Sequence, residues 1–256
     1  MINIMSEKLV TIPKPNGYIL HASLFHKDNN ENLIIICHGG LGDRYEHGRF
    51  SYTANQLIEQ GYNALLFDFS GFGQNERIPI SISLLMSDLQ DVWNWAKERY
   101  ECLSTIGLSL GGFISLCTPL LNRKCAVFWS PAFDMKNTIS PLQKILGKLW
   151  FVFTSTPLKM NHTGTGPRLL FGRDFMEEVL NFDIDRYLRN FTIPTLIIQG
   201  NKDTDVKLES TISAYEKFPK DGNHFLKIVE GAPHDFEGEH LDQYINHTAS
   251  FLKEHL

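Results

Sequence analysis

Residues 105–112 of the chain read Thr-Ile-Gly-Leu-Ser-Leu-Gly-Gly and place Ser109 between two glycines at GxSxG spacing. The apolar run 102–108 precedes this serine, and the small and apolar residues 111–121 follow it. These runs predict a buried strand and then a helix, so that Ser109 lies on the tight turn between them. A serine there is exposed beside the unpaired N–H groups of a helix N-terminus, which stabilise a developing negative charge. The stretch therefore predicts a nucleophilic serine, although the five-residue pattern alone also fits a capping serine on a glycine-bearing turn.

The composition is that of an ordinary globular protein. The 256 residues, 43% hydrophobic and 21% charged, suffice for one large α/β domain with an inserted subdomain. A net charge of −5 without a basic stripe argues against nucleic acid or an anionic membrane as partner. No secretory signal, bilayer-length apolar run or CxxC spacing is visible. We therefore expect a cytoplasmic protein with reduced cysteines and no stable membrane insertion.

Predicted strands and helices alternate along most of the chain. The first two strands, 8–12 and 17–25, form an antiparallel pair joined by a turn at 13–17. Further strands are predicted at 33–37, 63–69, 102–108, 125–129, 194–199 and 225–229, and helices at 50–60, 85–96, 111–121, 206–218 and 239–256. This alternation predicts a mostly parallel sheet with helices on both faces, which binds ligands beyond the carboxyl ends of its strands.

The alternation stops between residues 131 and 191. A compact domain rarely contains so long an irregular connection unless it is a lid or a binding insertion. We therefore predict a core domain of residues 1–130 and 192–256 and a helical cap of residues 131–191. The apolar cluster at 149–153 is either the core of this cap or the lining of an acyl or aromatic pocket. A third alternative is a lid that docks on lipid, because lysines flank the cluster.

Three loops that follow predicted strands carry the residue types that acyl transfer requires. Ser109, Asp203 and His234 each follow a different strand, in the chain order expected for such a sheet. A serine hydroxyl is a poor nucleophile at neutral pH, so His234 must accept its proton and return it to the leaving group. Asp203 would hold the imidazole in the required tautomer and stabilise its charged form. Asp205 and Asp134 are the alternative acids.

Two backbone N–H groups are predicted to bind the oxyanion of the tetrahedral intermediate. They belong to Leu110, next to the nucleophile, and to Gly40, in the loop after strand 33–37. His38 is interpreted as a residue that orders this loop. No metal is expected, because the histidines lack HExxH or a similar ligand spacing. No cofactor is expected either, because the glycine-rich stretches lack a dinucleotide fingerprint and a P-loop lysine.

Five stretches together resemble the α/β-hydrolase fold serine hydrolases. The stretch 38–42, His-Gly-Gly-Leu-Gly, is similar to the family's oxyanion loop, and 67–75 is similar to its DxRGxGxS stretch. Residues 107–111 are similar to its nucleophile elbow. The last two stretches, 200–206 and 231–236, are similar to its GxxDxxV acid loop and its histidine loop. The resemblance covers nearly the whole chain and leaves the insertion as the variable cap. Ser70, Phe72 and Asn75 depart from the family pattern, which affects the expected substrate preference more than the reaction class.

The resemblance implies a cofactor-independent hydrolase acting on a small-molecule ester, and the apolar cluster at 149–153, if it lines the pocket, adds the expectation of an apolar or aromatic acyl group. Small carboxylesterases, monoacylglycerol-lipase-like enzymes and cinnamoyl or feruloyl esterases are the most similar groups. A thioesterase or small serine peptidase of the same fold is an alternative, although no carboxylate cluster that would hold a peptide amine is found in the cap. A binding protein that kept the fold without catalysis is another, and a homodimer is left open.

Overall fold

The structure is a computed structural model, and it describes residues 7–27, 31–138, 150, 154, 156–160, 168–221 and 223–256. In these ranges the strands are β1 (Glu7–Pro13), β2 (Ile19–Phe25), β3 (Asn32–Cys37), β4 (Asn63–Phe67), β5 (Cys102–Leu108), β6 (Ala126–Trp129), β7 (Leu158–Met160), β8 (Leu169–Phe171), β9 (Thr195–Gly200) and β10 (His224–Val229). The helices are α1 (Arg49–Glu59), α2 (Ile82–Lys97), α3 (Leu110–Cys117), α4 (Met135–Thr138), α5 (Arg173–Asn181), α6 (Ile184–Arg189), α7 (Leu208–Tyr215) and α8 (Gly238–His255). A 3-10 turn at Glu46–Gly48 precedes α1.

An eight-stranded sheet with the order β1-β2-β4-β3-β5-β6-β9-β10 forms the centre of the molecule. β1 pairs antiparallel with β2, and β2 pairs antiparallel with β4. Every later neighbour in the sheet is parallel. The predicted mostly parallel sheet with an antiparallel start is confirmed, and its carboxyl ends bring the loops after β3, β5, β9 and β10 to one edge.

Both faces of the sheet are covered by helices. Successive side chains of a strand point to opposite faces, and β3 shows this with an unbroken aliphatic run. Ile35 packs in the hydrophobic cluster that includes α2 and α3. Ile34 and Ile36 pack in the cluster that includes α1 and α8. The buried run at 33–37 therefore serves two cores at once, which explains why it contains no polar residue.

Some element boundaries differ from those predicted. α3 ends at Cys117 and not at residue 121, because Thr118 is extended and precedes Pro119, which disfavours a helical conformation at the preceding position. α7 begins at Leu208 and not at residue 206. The residues before it remain in the loop after β9, where the Val206 N–H donates to a side-chain carboxylate 2.8 Å away. In both cases a local interaction outweighs the apolar periodicity.

The connection between β6 and β9 is not purely helical. It contains α4, α5 and α6, but β7 and β8 also form an antiparallel pair. The Ile80 N–H donates to the Leu170 carbonyl at 2.9 Å and ties β8 to the loop before α2. The predicted apolar cluster at 149–153 lies, apart from Trp150, outside the described residues. Within the described ranges, no helix combines the length and the apolar character needed to cross a bilayer.

Candidate active site

Ser109 lies on a strained turn between β5 and α3. Its φ of 50° and ψ of −114° fall in a region that residues with a Cβ rarely adopt. The surrounding glycines are required by close packing, because a Cβ at Gly111 would lie 2.3 Å from the Cys37 carbonyl oxygen. A Cβ at Gly107 would lie 2.7 Å from the Gly111 carbonyl oxygen. The turn predicted from the GxSxG spacing is therefore present, with Ser109 directly before the first residue of α3.

The loops after β9 and β10 bring an acid and a histidine together. The Nδ1 atom of His234 lies 2.8 Å from Oδ2 of Asp203, whose side chain has no solvent-exposed surface. The other oxygen, Oδ1, accepts the backbone N–H groups of Asp205 and Val206 at 3.0 and 2.8 Å. The side-chain amide of Gln199 donates to Oδ2 at 3.0 Å. Four hydrogen bonds therefore fix the Asp203 carboxylate in the orientation that meets the imidazole.

Electrostatics favours charge on both members of this pair. Burial raises the pKa of Asp203, but the hydrogen bond and charge of His234, with the Val206 and Gln199 donors, outweigh it and lower the pKa. Burial lowers the pKa of His234, but the hydrogen bond and charge of Asp203 outweigh it and raise the pKa above the ordinary 6.5. A carboxylate that stays ionised beside an imidazole is the arrangement that stabilises an imidazolium.

The alternative acids are placed differently. Asp134 accepts hydrogen bonds from Asn137 at 2.7 Å and Ser210 at 3.5 Å. The carboxylate of Asp205 accepts from the neighbouring Thr204 hydroxyl at 3.4 Å. Neither carboxylate forms a hydrogen bond with the His234 imidazole, whose described carboxylate partner is Asp203. Of the three acids considered from the sequence, Asp203, the favoured one, is hydrogen-bonded to His234.

Ser109 and His234 line the same cavity of about 590 Å³. Among the described residues no hydrogen bond joins the Ser109 hydroxyl to the imidazole. Catalytic hydrogen bonds often tighten only when substrate is bound. The cavity is also lined by Gly39, Gly40, Leu41, Gly42, Glu46, His47, Arg49, Leu108, Leu110, Ala132, Met135, Met160, Phe171, Phe175, Asp205, Val206, Asp235 and Glu237. Within the described ranges, no three His, Cys, Asp or Glu side chains are grouped so as to hold a metal ion.

The loop after β3 is ordered by His38, as predicted. His38 is fully buried, and its Nε2 accepts the Phe69 N–H at 3.1 Å. The proton of the neutral ring is therefore on Nδ1, which donates to the Gly39 carbonyl at 2.7 Å. In a trans peptide the C=O and the following N–H point in opposite directions, so the Gly40 N–H is directed away from His38. The N–H groups of Gly40 and Leu110 have no acceptor among the described residues, and both residues line the cavity.

The three departures from the family pattern lie behind the site. None of Ser70, Phe72 and Asn75 is among the described residues that line the cavity. The Ser70 hydroxyl donates to Asp88 at 2.9 Å, and Phe72 packs edge-on against His38 with ring centroids 5.0 Å apart. Asn75 donates to the Asp68 carbonyl at 2.7 Å. These residues support the loops that carry the site. Their contacts are therefore structural, whereas the sequence suggested an influence on substrate preference.

Three residues of the site region were missed in the sequence. Gln199 had a readable signal, because it is the one amide in the aliphatic strand 195–200. Glu46 and Arg49 had none, since charged residues around the start of a helix are usually solvated. In the structure both are buried, with 4% and 7% exposure, and both line the cavity.

A family model described as Hydrolase_4, Serine aminopeptidase, S33, matches residues 28–166, more than half of the chain. The chain belongs to this family. Membership of the Hydrolase_4 family agrees with the mostly parallel sheet covered by helices on both faces. The predicted α/β-hydrolase fold is confirmed. Over 110 residues the chain is 36% identical to an uncharacterized 31.7 kDa protein from the traX-finO intergenic region of Escherichia coli. That match covers 40% of this chain and only 34% of the relative's length.

Solved structures of esterases share the Hydrolase_4 chain's architecture over nearly its whole length. Est1E from Butyrivibrio proteoclasticus, in a structure with ferulic acid bound, has a TM-score of 0.77 and 22% identity. The superposition covers 96% of this chain and 98% of Est1E. The esterase Pf2001 of Pyrococcus furiosus has a TM-score of 0.74 and 20% identity, covering 98% and 91% of the two chains. At these identities the likeness shows the fold.

Proposed function

We propose that the protein is a serine hydrolase that cleaves carboxylic esters through an acyl-enzyme intermediate. Ser109 is the nucleophile, His234 the general base and acid, and Asp203 the residue that orients the imidazole. The single observation that carries the proposal is the 2.8 Å hydrogen bond between His234 and Asp203 at the cavity that Ser109 also lines. Membership of the Hydrolase_4 family supports it.

The proton inventory supports this assignment of roles. The Asp203 carboxylate is the acceptor on the Nδ1 side of the imidazole, so the neutral ring carries its proton on Nδ1 and leaves Nε2 as a base. In the proposed reaction Nε2 takes the Ser109 proton as the hydroxyl attacks the ester carbonyl. The imidazolium then protonates the leaving alkoxide. In the second half of the reaction His234 takes a proton from a water molecule as the water attacks the acyl-serine, and it then gives this proton to the Ser109 oxygen as the acid product is released.

Two backbone donors are proposed to stabilise the tetrahedral intermediates. The N–H of Leu110 belongs to the first residue of α3, so the helix dipole adds to its effect. The N–H of Gly40 comes from the loop that His38 orders. Removing one such donor typically costs about 10²–10³ in kcat. Two donors of this kind therefore account for a large part of the expected rate acceleration.

The apolar wall of the cavity supports an apolar or aromatic acyl group. Met135, Met160, Phe171 and Phe175 line the cavity, and all four come from the connection between β6 and β9. We therefore propose that residues 131–191 act as the cap that sets specificity over a core of 1–130 and 192–256. The ferulic acid bound to Est1E makes hydroxycinnamoyl esters a substrate class to test.

A peptidase is the second candidate, and one observation favours it. Glu46, Asp205, Asp235 and Glu237 are among the residues that line the cavity, and all four belong to the core rather than to residues 131–191. A substrate amine needs carboxylates of this kind, and the matching family is described as Serine aminopeptidase. Two of the four are already paired with Arg49, at 3.1 Å to Glu46 and 3.3 Å to Asp235, which favours the esterase.

The test is hydrolysis of p-nitrophenyl esters by the wild type and by Ser109→Ala. Acetyl, butyryl, octanoyl and cinnamoyl esters are compared with acyl thioesters and aminoacyl-p-nitroanilides. We expect ester turnover that the Ser109→Ala change abolishes and that Ser250→Ala, an exposed serine of α8, leaves unchanged. Preferred hydrolysis of the anilides would establish the peptidase instead. An unchanged rate in Ser109→Ala would remove this serine from the mechanism.

A further inference from the structure

The carboxylate of Glu46 lies inside the loop that carries Gly40. Its Oε1 accepts the N–H of Gly39 at 2.5 Å. The loop is wrapped so closely around this oxygen that a Cβ at Gly42 would lie 2.3 Å from it. Glu46 has a φ of 45° and His47 a φ of 57°, so two successive residues with Cβ atoms adopt the left-handed region. Such a conformation is costly and persists where surrounding contacts fix it.

Arg49 connects this carboxylate to the histidine loop. Its Nη2 lies 3.1 Å from Oε2 of Glu46 and 3.3 Å from Oδ1 of Asp235, the residue after His234. The Asp235 side chain is 82% exposed, so solvent weakens that half of the pairing. The contact with Glu46 is buried, and Nη1 of Arg49 finds no acceptor among the described residues. The charge of Glu46 is therefore the main compensation for a buried guanidinium.

We infer that Glu46 is a positioning residue for the oxyanion hole, an inference that rests on the proposed function. His38 holds the carbonyl of Gly39 and Glu46 holds its N–H, so this one residue is fixed on both sides. The Gly39 carbonyl belongs to the same peptide as the Gly40 N–H, so His38 restrains that peptide directly, whereas Glu46 restrains the preceding peptide. No Cβ at Gly39 or Gly40 limits the backbone here, so these two hydrogen bonds have to fix it. Glu46 thus keeps Gly39 in the conformation in which His38 can hold the next peptide with its Gly40 N–H toward the cavity, and Arg49 holds the carboxylate in place.

Three substitutions of Glu46 separate the hydrogen bond from the charge. Glu46→Gln keeps an oxygen at the right distance for the Gly39 N–H but loses the charge. Glu46→Asp keeps the charge but is one methylene too short to reach that N–H. Glu46→Ala loses both. Since the loss of a whole oxyanion donor costs about 10²–10³ in kcat, we expect a drop of roughly 10–100-fold for the Ala and Asp variants. We expect Glu46→Gln to recover most of this loss, with KM nearly unchanged in all three.

The experiment measures kcat and KM for a p-nitrophenyl ester and the inhibition constant of an aryl trifluoromethyl ketone. The Ser109 hydroxyl adds to the ketone carbonyl and its proton passes to His234, which leaves an anionic hemiketal, so the affinity of the ketone reports on the oxyanion donors. We expect the inhibition constant to rise in Glu46→Asp and Glu46→Ala by about the factor by which kcat/KM falls. Circular dichroism verifies folding, and Glu98→Ala, an exposed glutamate after α2, is the matched control.

The outcomes separate this inference from the proposed function. Folded Asp and Ala variants with wild-type kcat and inhibition constant overturn the role of Glu46, even if Ser109→Ala is inactive. If Glu46→Ala does not fold, the Gln and Asp variants decide: equal kcat in both overturns the inference, and a selective loss in Asp supports it. Wild-type turnover in Ser109→Ala would instead refute the proposed function itself.

Discussion

Nδ1 of His234 and Oδ2 of Asp203 are 2.8 Å apart although 31 positions of sequence separate the two residues. Their loops follow β9 and β10, which are parallel neighbours with Gly200 opposite Val229. Because the two strands end at the same level of the sheet, the acid and the base emerge side by side. The register of two strands, more than any local sequence preference, therefore sets this contact.

Replacing the acid by its amide should preserve shape and destroy function. In Asp203→Asn the side chain no longer offers a charged acceptor to Nδ1–H, so the imidazole adopts the wrong tautomer more often. We expect kcat for ester hydrolysis to fall by about 10⁴-fold with KM little changed. Steady-state kinetics measures this. Asp134→Asn is the matched control and should retain wild-type kcat; a large loss there would reopen the choice of acid.

The pH profile should report on His234. The imidazole must be neutral to accept the Ser109 proton, and Asp203 raises its pKa above the ordinary 6.5. Activity is therefore lost as pH falls through this raised pKa, so the acid limb of kcat/KM should lie above 6.5. Removing the weaker influence of the Asp205 charge, in Asp205→Asn, should move the limb to lower pH. A limb at or below 6.5, or a shift to higher pH, would contradict the assignment.

The amide of Gln199 should matter for both stability and catalysis. It donates to Asp203 at 3.0 Å and accepts from the Thr211 hydroxyl at 2.8 Å. Gln199→Met keeps the volume but removes the acceptor of the Thr211 hydroxyl and the side-chain donor to the Val206 carbonyl, which the Gln199 amide reaches at 3.0 Å. Burying these groups without a partner costs about 1–3 kcal/mol. Urea denaturation measures this loss, and we expect a lower kcat from the less constrained carboxylate. Gln90→Met on α2 is the control and should change neither quantity by much.

The site residues that follow the ends of strands could be predicted from the sequence. Those whose position depends on the conformation of a loop could not. Ser109, Asp203 and His234 were predictable because each follows an apolar run that reads as a buried strand. Glu46 was not, since its carboxylate reaches Gly39 only through two left-handed residues that no local pattern indicates. The end of α3 was readable, because Pro119 lies directly after Thr118, but the apolar residues beyond it favoured a longer helix.

The glycine after the nucleophile turn should tolerate no side chain. A Cβ at Gly111 would lie 2.3 Å from the carbonyl oxygen of Cys37 and 2.5 Å from that of His38. Both are backbone atoms, which cannot move aside as a flexible side chain could. Gly111→Ala should therefore destabilise the protein by about 3 kcal/mol or more or prevent folding. Thermal unfolding measures the effect. Gly172→Ala, where the nearest atom would be a Pro79 carbon at 3.3 Å, should cost much less.

The apolar wall of the cavity should select the acyl group. Phe175 is nearly buried and stacks edge-on with Phe171 at a centroid distance of 4.8 Å. Phe175→Ala enlarges the apolar end of the cavity, so octanoyl and cinnamoyl esters should lose roughly 10-fold in kcat/KM. We expect acetyl esters, whose acyl group is too short for an extended apolar contact, to lose little. Equal losses for all acyl groups would indicate general destabilisation and no specific contact.

The central claim is that one serine on the turn between β5 and α3 is the nucleophile of this protein. Titration with a fluorophosphonate probe, followed by peptide mass spectrometry and a parallel ester hydrolysis assay, tests it most directly. The predicted result is one adduct per chain, located on Ser109, with activity lost in proportion to labelling. An active protein that is not labelled at Ser109, or that remains active after full labelling there, would contradict it.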